Sequence, residues 1–293
     1  MKKLTLVCSI AAALLSPAST VQAETIFGLS TSNSLFSFDS ASPGTISTPV
    51  SITGVTTGTI VDIDFSPVAF TLYGIASNGD LYSLNTTTGA ATLRIGVSAQ
   101  IAPNTITAPT AIDFNPAADR IRIFQGTNSF RLTGDAATYD SAQTAGTVSS
   151  DGTFTGVPGA NLVAAAYSNN INNGASAPSL FSLDTTANTL ILHSGTPAFV
   201  TIAAVGTLGV DIGTTNVGFD ISFLQGASTG YVSDSDNFYT VNLISGALTP
   251  AGTINNGGLT TRSIAAAAVP EPTTTALGAL ALLGLMTRRQ RQA

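Results

Sequence analysis

The chain of 293 residues holds one cysteine, one histidine and no tryptophan. Cys8 lies in an apolar run at the N-terminus, so the body that follows forms no disulfide and offers no Cys/His set for zinc. Any Ser-His-Asp arrangement would have to use His193. That residue sits in Leu190-Ile-Leu-His193-Ser194-Gly195, at a strand end beside a Ser-Gly turn, which reads as a surface or turn histidine. Lysine is confined to Lys2 and Lys3. Between residues 24 and 268 the bases are Arg94, Arg120, Arg122, Arg131 and Arg262, against fifteen acids, a net charge near −10. Phosphate binding needs basic surface, so nucleic acid is excluded as a partner. Acidic polysaccharide would be repelled without a bridging divalent cation, and the acidity itself keeps an exported protein soluble. Glutamate is as scarce as lysine: Glu24 is the only one in the body. A two-carboxylate glycoside hydrolase would therefore have to use aspartates alone. No phosphate loop or dinucleotide fingerprint is present.

The two ends are informative. Met1-Lys2-Lys3, the apolar run Leu4 to Leu15 and the small-residue site Val21-Gln22-Ala23 form a secretory signal layout. Cleavage is expected after Ala23, leaving Glu24 first, with the Sec translocon and signal peptidase as processing partners. At the other end, Val269-Pro270-Glu271-Pro272 precedes an apolar stretch from Ala276 to Met286 and then Arg288-Arg289-Gln290-Arg291. The stretch is shorter than the about 20 apolar residues of a full span. With its flanking threonines it suits a short transmembrane helix whose arginines stay cytoplasmic. Together, the Pro270-Glu271-Pro272 motif, short helix and arginine cluster of residues 269–293 resemble the PEP-CTERM sorting signal. That resemblance implies an exosortase-type enzyme, transient membrane anchoring, removal of the tail and a final place at the cell surface or outside. It also implies a Gram-negative host that makes exopolysaccharide, a possible ligand.

The body, residues 24–268, is long enough for one domain with a full core. Short β-branched and aromatic runs alternate with Gly, Asn, Asp and Pro clusters, an all-β pattern. Two strands recur. One reads Leu35-Phe-Ser-Phe-Asp39, Leu81-Tyr-Ser-Leu-Asn85, Ser129-Phe-Arg-Leu-Thr133, Leu180-Phe-Ser-Leu-Asp184 and Phe238-Tyr-Thr-Val-Asn242, at intervals of 46, 48, 51 and 58. The other reads Val61-Asp-Ile-Asp-Phe65, Ala111-Ile-Asp-Phe114, Ala164-Ala-Ala-Tyr167, Gly218-Phe-Asp-Ile221 and Arg262-Ser-Ile-Ala265. Five units of this size are blade-sized, which predicts a five-bladed β-propeller. The chain begins at Thr25-Ile-Phe-Gly-Leu29, matching Thr71-Leu-Tyr-Gly-Ile75, and ends on the strand that should precede it. First and last strands are thus expected to share one blade. A β-sandwich or β-solenoid is the alternative.

In Ile112-Asp-Phe-Asn-Pro116, Ala117-Ala-Asp119, Arg120-Ile-Arg-Ile123, Asn115-Pro116 ends a strand and starts a turn. Arg120 and Arg122 then share one strand face and need acceptors, of which Asp113 and Asp119 are nearest in sequence. With Asn128-Ser-Phe-Arg131-Leu132, this run is similar to the signature of a family, domain of unknown function 4394, with Ile121 in place of Leu and Ser129-Phe130 inserted before Arg131. The resemblance implies a propeller-like fold outside the cytoplasm and no particular activity.

Candidate ligand-binding residues are Asp113, Asn115, Arg120, Arg122 and Arg131; of these Asp113, Arg120 and Arg122 are expected as a polar cluster near the propeller axis, where binding a ligand competes with holding blades together. Calcium is the best cofactor candidate because its ligands are oxygens. Asp62 and Asp64 share one strand face, and Asp234 and Asp236 lie close in one loop, where a turn-forming role competes with metal binding. The leading functional expectation is a non-catalytic surface or extracellular-matrix protein. The alternatives are a lactonase-like or glycan-cleaving propeller enzyme using aspartates, and a calcium-dependent adhesin.

Overall fold

A computed structural model describes residues 23–267 except 98–99, 101–105, 119, 136–143, 171–176 and 225. The sorting tail, with Pro270, Glu271 and Pro272, and the leader up to residue 22 lie outside the described residues, as does Asp119. Among the described residues no helix is long and apolar enough to cross a membrane.

The strands run in chain order through five antiparallel sheets of four. β1 (Thr25–Ser30), β2 (Ser34–Asp39) and β3 (Val50–Ser51) open the first. β4 (Ile60–Phe65), β5 (Leu72–Ala76), β6 (Leu81–Leu84) and β7 (Ala91–Ile95) form the second. β8 (Ala111–Asn115), β9 (Arg120–Gln125), β10 (Asn128–Leu132) and β11 (Val148–Thr153) form the third. β12 (Leu162–Tyr167), β13 (Leu180–Asp184), β14 (Thr189–Ser194) and β15 (Thr201–Thr207) form the fourth. β16 (Val217–Leu224), β17 (Ala227–Asp234), β18 (Asn237–Val241) and β19 (Leu248–Thr253) form the fifth. β20 (Thr261–Ala266) then pairs with β1, so the last strand completes the first blade. This is the five-bladed propeller with a shared closing blade that the repeats predict. Closure leaves only short, protected edges at the axis.

The inner strands β20, β4, β8, β12 and β16 touch one another in sequence around the axis. All five come from the second recurring strand, because its side chains must be buried on both faces. Ile112 and Phe114 face the second blade, while Ala111 faces the fourth. Each face of a strand serves one seam, since side chains alternate. The core is accordingly five seams rather than one centre. Gly28 shows how tightly the strands stack: a Cβ there would lie 2.1 Å from the Phe36 ring.

One expectation fails in phase. Leu35–Asp39, Leu81–Asn85, Ser129–Thr133 and Phe238–Asn242 supply third strands, but β13 is a second strand, paired with β12 and β14. Alternation of large and small residues marks a half-buried strand without marking its rank in the blade. The long stretch between β12 and β13 shifted the apparent repeat.

Candidate functional site: a carboxylate belt beneath an axial funnel

Three inner strands present an aspartate at the same rung. Phe114 N–H donates to Asp64 Oδ2 at 2.7 Å. Tyr167 N–H donates to Asp113 Oδ1 at 3.0 Å, and Ala266 N–H to Asp220 Oδ2 at 2.6 Å. Each carboxylate thereby clasps the inner strand of the next blade. Asp64 and Asp220 also accept from the following amide of their own strand, Phe65 and Ile221. The equivalent rung carries Ala166 on β12 and Ala265 on β20, so the belt is a ring of three acids and two alanines. Carboxylate oxygens of Asp64, Asp113 and Asp220 lie within 4.8 Å of one another. All three side chains are buried. One rung nearer the mouth, Asp62 accepts from Ile112 N–H at 2.7 Å and from the Ser263 hydroxyl, stitching three blades together.

No arginine of the described residues donates to these carboxylates. Burial pushes Asp62 up to about 6 and Asp220 up to about 7. Asp64 and Asp113 are raised well above the usual carboxylate range by burial first and by their neighbours' charges second. The arrangement can hold shared protons, and its oxygen donors are the type a hard divalent cation takes.

Above the belt, at the face where the inner strands begin, a funnel of about 530 Å³ is walled by all five blades. Its lining includes Asp62, Thr110, Asn161, Thr215, Asn216 and Arg262. Arg262 Nε is buried in that wall without a hydrogen-bond partner among the described residues. Arg94 Nε is likewise without a hydrogen-bond partner among the described residues, but its Nη2 is paired with Asp135, and Arg122 and Arg131 are paired with Asp151, whereas Arg262 has no ion pair among the described residues.

The sequence-based candidates separate into three places. Asp62, Asp64 and Asp113 reach the axis. Asn115 ends β8 and accepts from Ala117 N–H at 2.9 Å, and Arg120 opens β9 opposite it. Arg122 and Arg131 sit in the seam between the third and fourth blades. Arg122 lies opposite Asp113 in register, yet its guanidinium reaches outward to Asp151 on β11. It also bonds Tyr167, Ser129 and the carbonyls of Pro197 and Ala198. Arg131 grips the same Asp151 through Nε and Nη2. For Arg122 the acceptor is therefore Asp151, which sequence proximity did not suggest. Asp234 and Asp236 flank the tip of the β17–β18 hairpin in the fifth blade, apart from the axial belt. Ala23 is exposed, and Glu24 is held by Ser40 and Tyr231 at the start of β1.

His193 is not at the surface. It is 3 % exposed, bonded to Ser182 Oγ at 2.7 Å and to Phe199 O at 2.9 Å. Alternation on β14 turns it inward against Phe124 and Phe154. Burial lowers it to about 4, so it is neutral and belongs to the packing.

Asp220 is the functional-type residue that sequence reasoning missed. The signal was present: Asp64-Phe65, Asp113-Phe114 and Asp220-Ile221 fall at one position of the inner-strand repeat.

The family described as domain of unknown function (DUF4394) matches residues 34–265. The chain belongs to the DUF4394 family. A PEP-CTERM protein-sorting motif matches residues 268–291 of this DUF4394 protein, identifying it as exported and sorted with C-terminal processing. Among curated proteins none matches. Among solved structures, a chain of a nidogen–laminin complex matches with a TM-score of 0.45 and 9 % identity, over 84 % of this chain and 98 % of that one. An auxiliary nutrient binding protein from Bacteroides ovatus matches with a TM-score of 0.45 and 11 % identity, over 79 % of this chain and 56 % of that one. Likenesses this loose bear on neither ligand nor activity.

Proposed function

We propose that this DUF4394 protein is a non-catalytic binding module displayed at the cell surface or in the extracellular matrix, and that the axial funnel is its ligand seat. The observation that carries this reading is Arg262. Its Nε is buried in the funnel wall and unpartnered among the described residues. Its terminal Nη groups, in no hydrogen bond or ion pair with a described residue, can donate to a ligand oxygen entering the funnel, a charged hydrogen bond worth about 1.5–3 kcal/mol. Hydroxyl groups of exopolysaccharide are such oxygens, and a surface-sorting motif suits a protein whose ligand is an extracellular polymer. The sole imidazole is committed to Ser182 and Phe199, which supports binding over acyl-transfer chemistry.

The test is co-sedimentation of the full chain with the extracellular polymer of its own cells. Arg262→Ala is expected to weaken retention about tenfold, the loss of one charged hydrogen bond. Equal retention of the variant removes the funnel as the seat. Turnover of a lactone or glycan that Asp64→Asn abolishes would instead establish the propeller-enzyme reading.

A further inference from the structure

At the opposite face, where the inner strands end, a second groove of about 530 Å³ lies between the first and second blades. Its floor is Phe27 and Phe65, edge to face with ring centroids 5.4 Å apart. Phe70 stands at its side, 45 % exposed, in the turn that joins β4 to β5.

Phe70 holds a left-handed backbone, φ 51°, closed by its N–H on Ser66 O at 2.9 Å. A bulky residue in this region costs about 1 kcal/mol, where asparagine or glycine sits more easily. Among the described residues one other phenylalanine closes such a turn, and there the cost has an evident return. Phe199 has φ 56° and donates to Gly195 O, but it is 7 % exposed and packs on Tyr167 beneath Arg122. Phe70 has no such burial. Its ring is held out beside a groove by a strained turn that would tolerate a smaller residue.

The rim around these rings is uncommitted. The side-chain hydroxyls of Ser83, Thr86, Thr87 and Thr92 make no hydrogen bond to a described residue. Asn85 accepts from Thr87 and Thr88 N–H with its oxygen, which leaves its amide N–H₂ free. Among the described residues no charged one lines the groove. A ligand matched to this surface has one face of C–H bonds for the rings and an equatorial fringe of hydroxyls for the rim. That is the chemistry of a pyranose. The uncharged lining, on a body of net charge near −10, selects a neutral sugar over an acidic one.

We infer that this groove is a binding site for a neutral saccharide, separate from the funnel. The test is electrophoresis of the full chain through native gels containing dextran, galactomannan or glucomannan, with alginate as the acidic contrast. At least one neutral glycan is expected to retard the protein while alginate does not. Phe70→Asn is expected to weaken that binding about tenfold, the upper value for one aromatic contact. The same variant is expected to melt at the same temperature or higher, because asparagine accepts the left-handed turn. A loss of binding without loss of stability separates a ligand-facing ring from a structural one. Retardation that survives Phe70→Asn overturns the inference. So does the absence of retardation by every neutral glycan.

Discussion

The seam between the third and fourth blades and the propeller axis both bury charge, and they treat it differently. In the seam, Arg122 is 1 % exposed and all three of its guanidinium nitrogens donate, to Tyr167, Ser129, Asp151 and two carbonyls. Asp151 in turn is shared with Arg131. At the axis, Asp64, Asp113 and Asp220 are equally buried, but they accept from backbone amides and face one another. Backbone amides orient a carboxylate without cancelling its charge. Each charge in the seam thus meets an opposite charge within the chain, whereas the belt draws its neutrality from protons or from a cation. The comparison also separates roles: Arg122 and Arg131, which look like ligand groups in the sequence, are spent on holding two blades together.

The largest effect is expected in the seam. Arg122→Met leaves Asp151, a buried carboxylate, half paired and strands the carbonyls of Pro197 and Ala198. Breaking a buried pair from one side costs about 3–5 kcal/mol, and denaturant melts should read that loss. Arg122→Lys is expected to recover little, because a point charge cannot reach acceptors in three directions. A fully stable Arg122→Met would show that the network is ornamental and would erase the contrast with the axis.

The belt should appear in the pH dependence of stability. Unfolded carboxyls titrate near 4, whereas burial holds Asp62 at about 6, Asp220 at about 7, and Asp64 and Asp113 well above the usual range. Between those values the folded state binds more protons. The stability is complete below about pH 4 and is lost as pH rises through the folded values. His193 acts in the other direction: held at about 4 against an ordinary value near 6.5, it removes stability as pH falls through that interval. Several carboxyls outweigh one imidazole. The metal-free melting temperature is expected to fall by about 5–10 °C between pH 5 and pH 7.5. Repeating the melts with calcium and then chelator shows what fills the belt. A calcium-dependent rise confined to the higher pH marks a cation displacing protons, and identical curves mark protons alone.

Much of this architecture is legible in the sequence, for identifiable reasons. The inner strands are buried on both faces and start each unit, so their pattern survives in all five blades, even in the alanine-rich Ala164–Tyr167. The closing strand Arg262–Ala265 is readable because its absence from the first unit leaves Thr25–Leu29 without a neighbour. Rank within a blade is less legible, since β13 and a third strand share one alternation. The seam network is not legible at all. Asp151 stands in Ser149-Ser-Asp-Gly152, which reads as a turn, and it meets Arg122 only because β11 folds back across β10 and β9. His193 is misread for a related reason: a residue near a strand end looks exposed until the next blade is packed against it. Convergence at the axis needs the ring closed, so Asp64 and Asp113 are visible as candidates while their meeting with Asp220 is not.

The smallest expected effect carries the opposite sign and tests the axis alone. Asp113 differs from its two neighbours in accepting one backbone N–H, from Tyr167, through Oδ1. Asp64 and Asp220 each accept two. An asparagine at 113 keeps the Tyr167 bond with its carbonyl oxygen and turns an N–H₂ donor toward the remaining carboxylates. One charge of the belt disappears and the other two gain a donor. Asp113→Asn is therefore expected to stabilise the metal-free protein by about 1 kcal/mol at pH 7.5, the value of one net hydrogen bond, and to flatten the fall in melting temperature above pH 5. The same change at Asp64 sets an N–H₂ against a backbone N–H and should not stabilise. If Asp113→Asn instead destabilises at pH 7.5 and abolishes a calcium-dependent rise, the belt is a cation site whose third carboxylate is required, and the axis, like the seam, sets its charges against an opposite one.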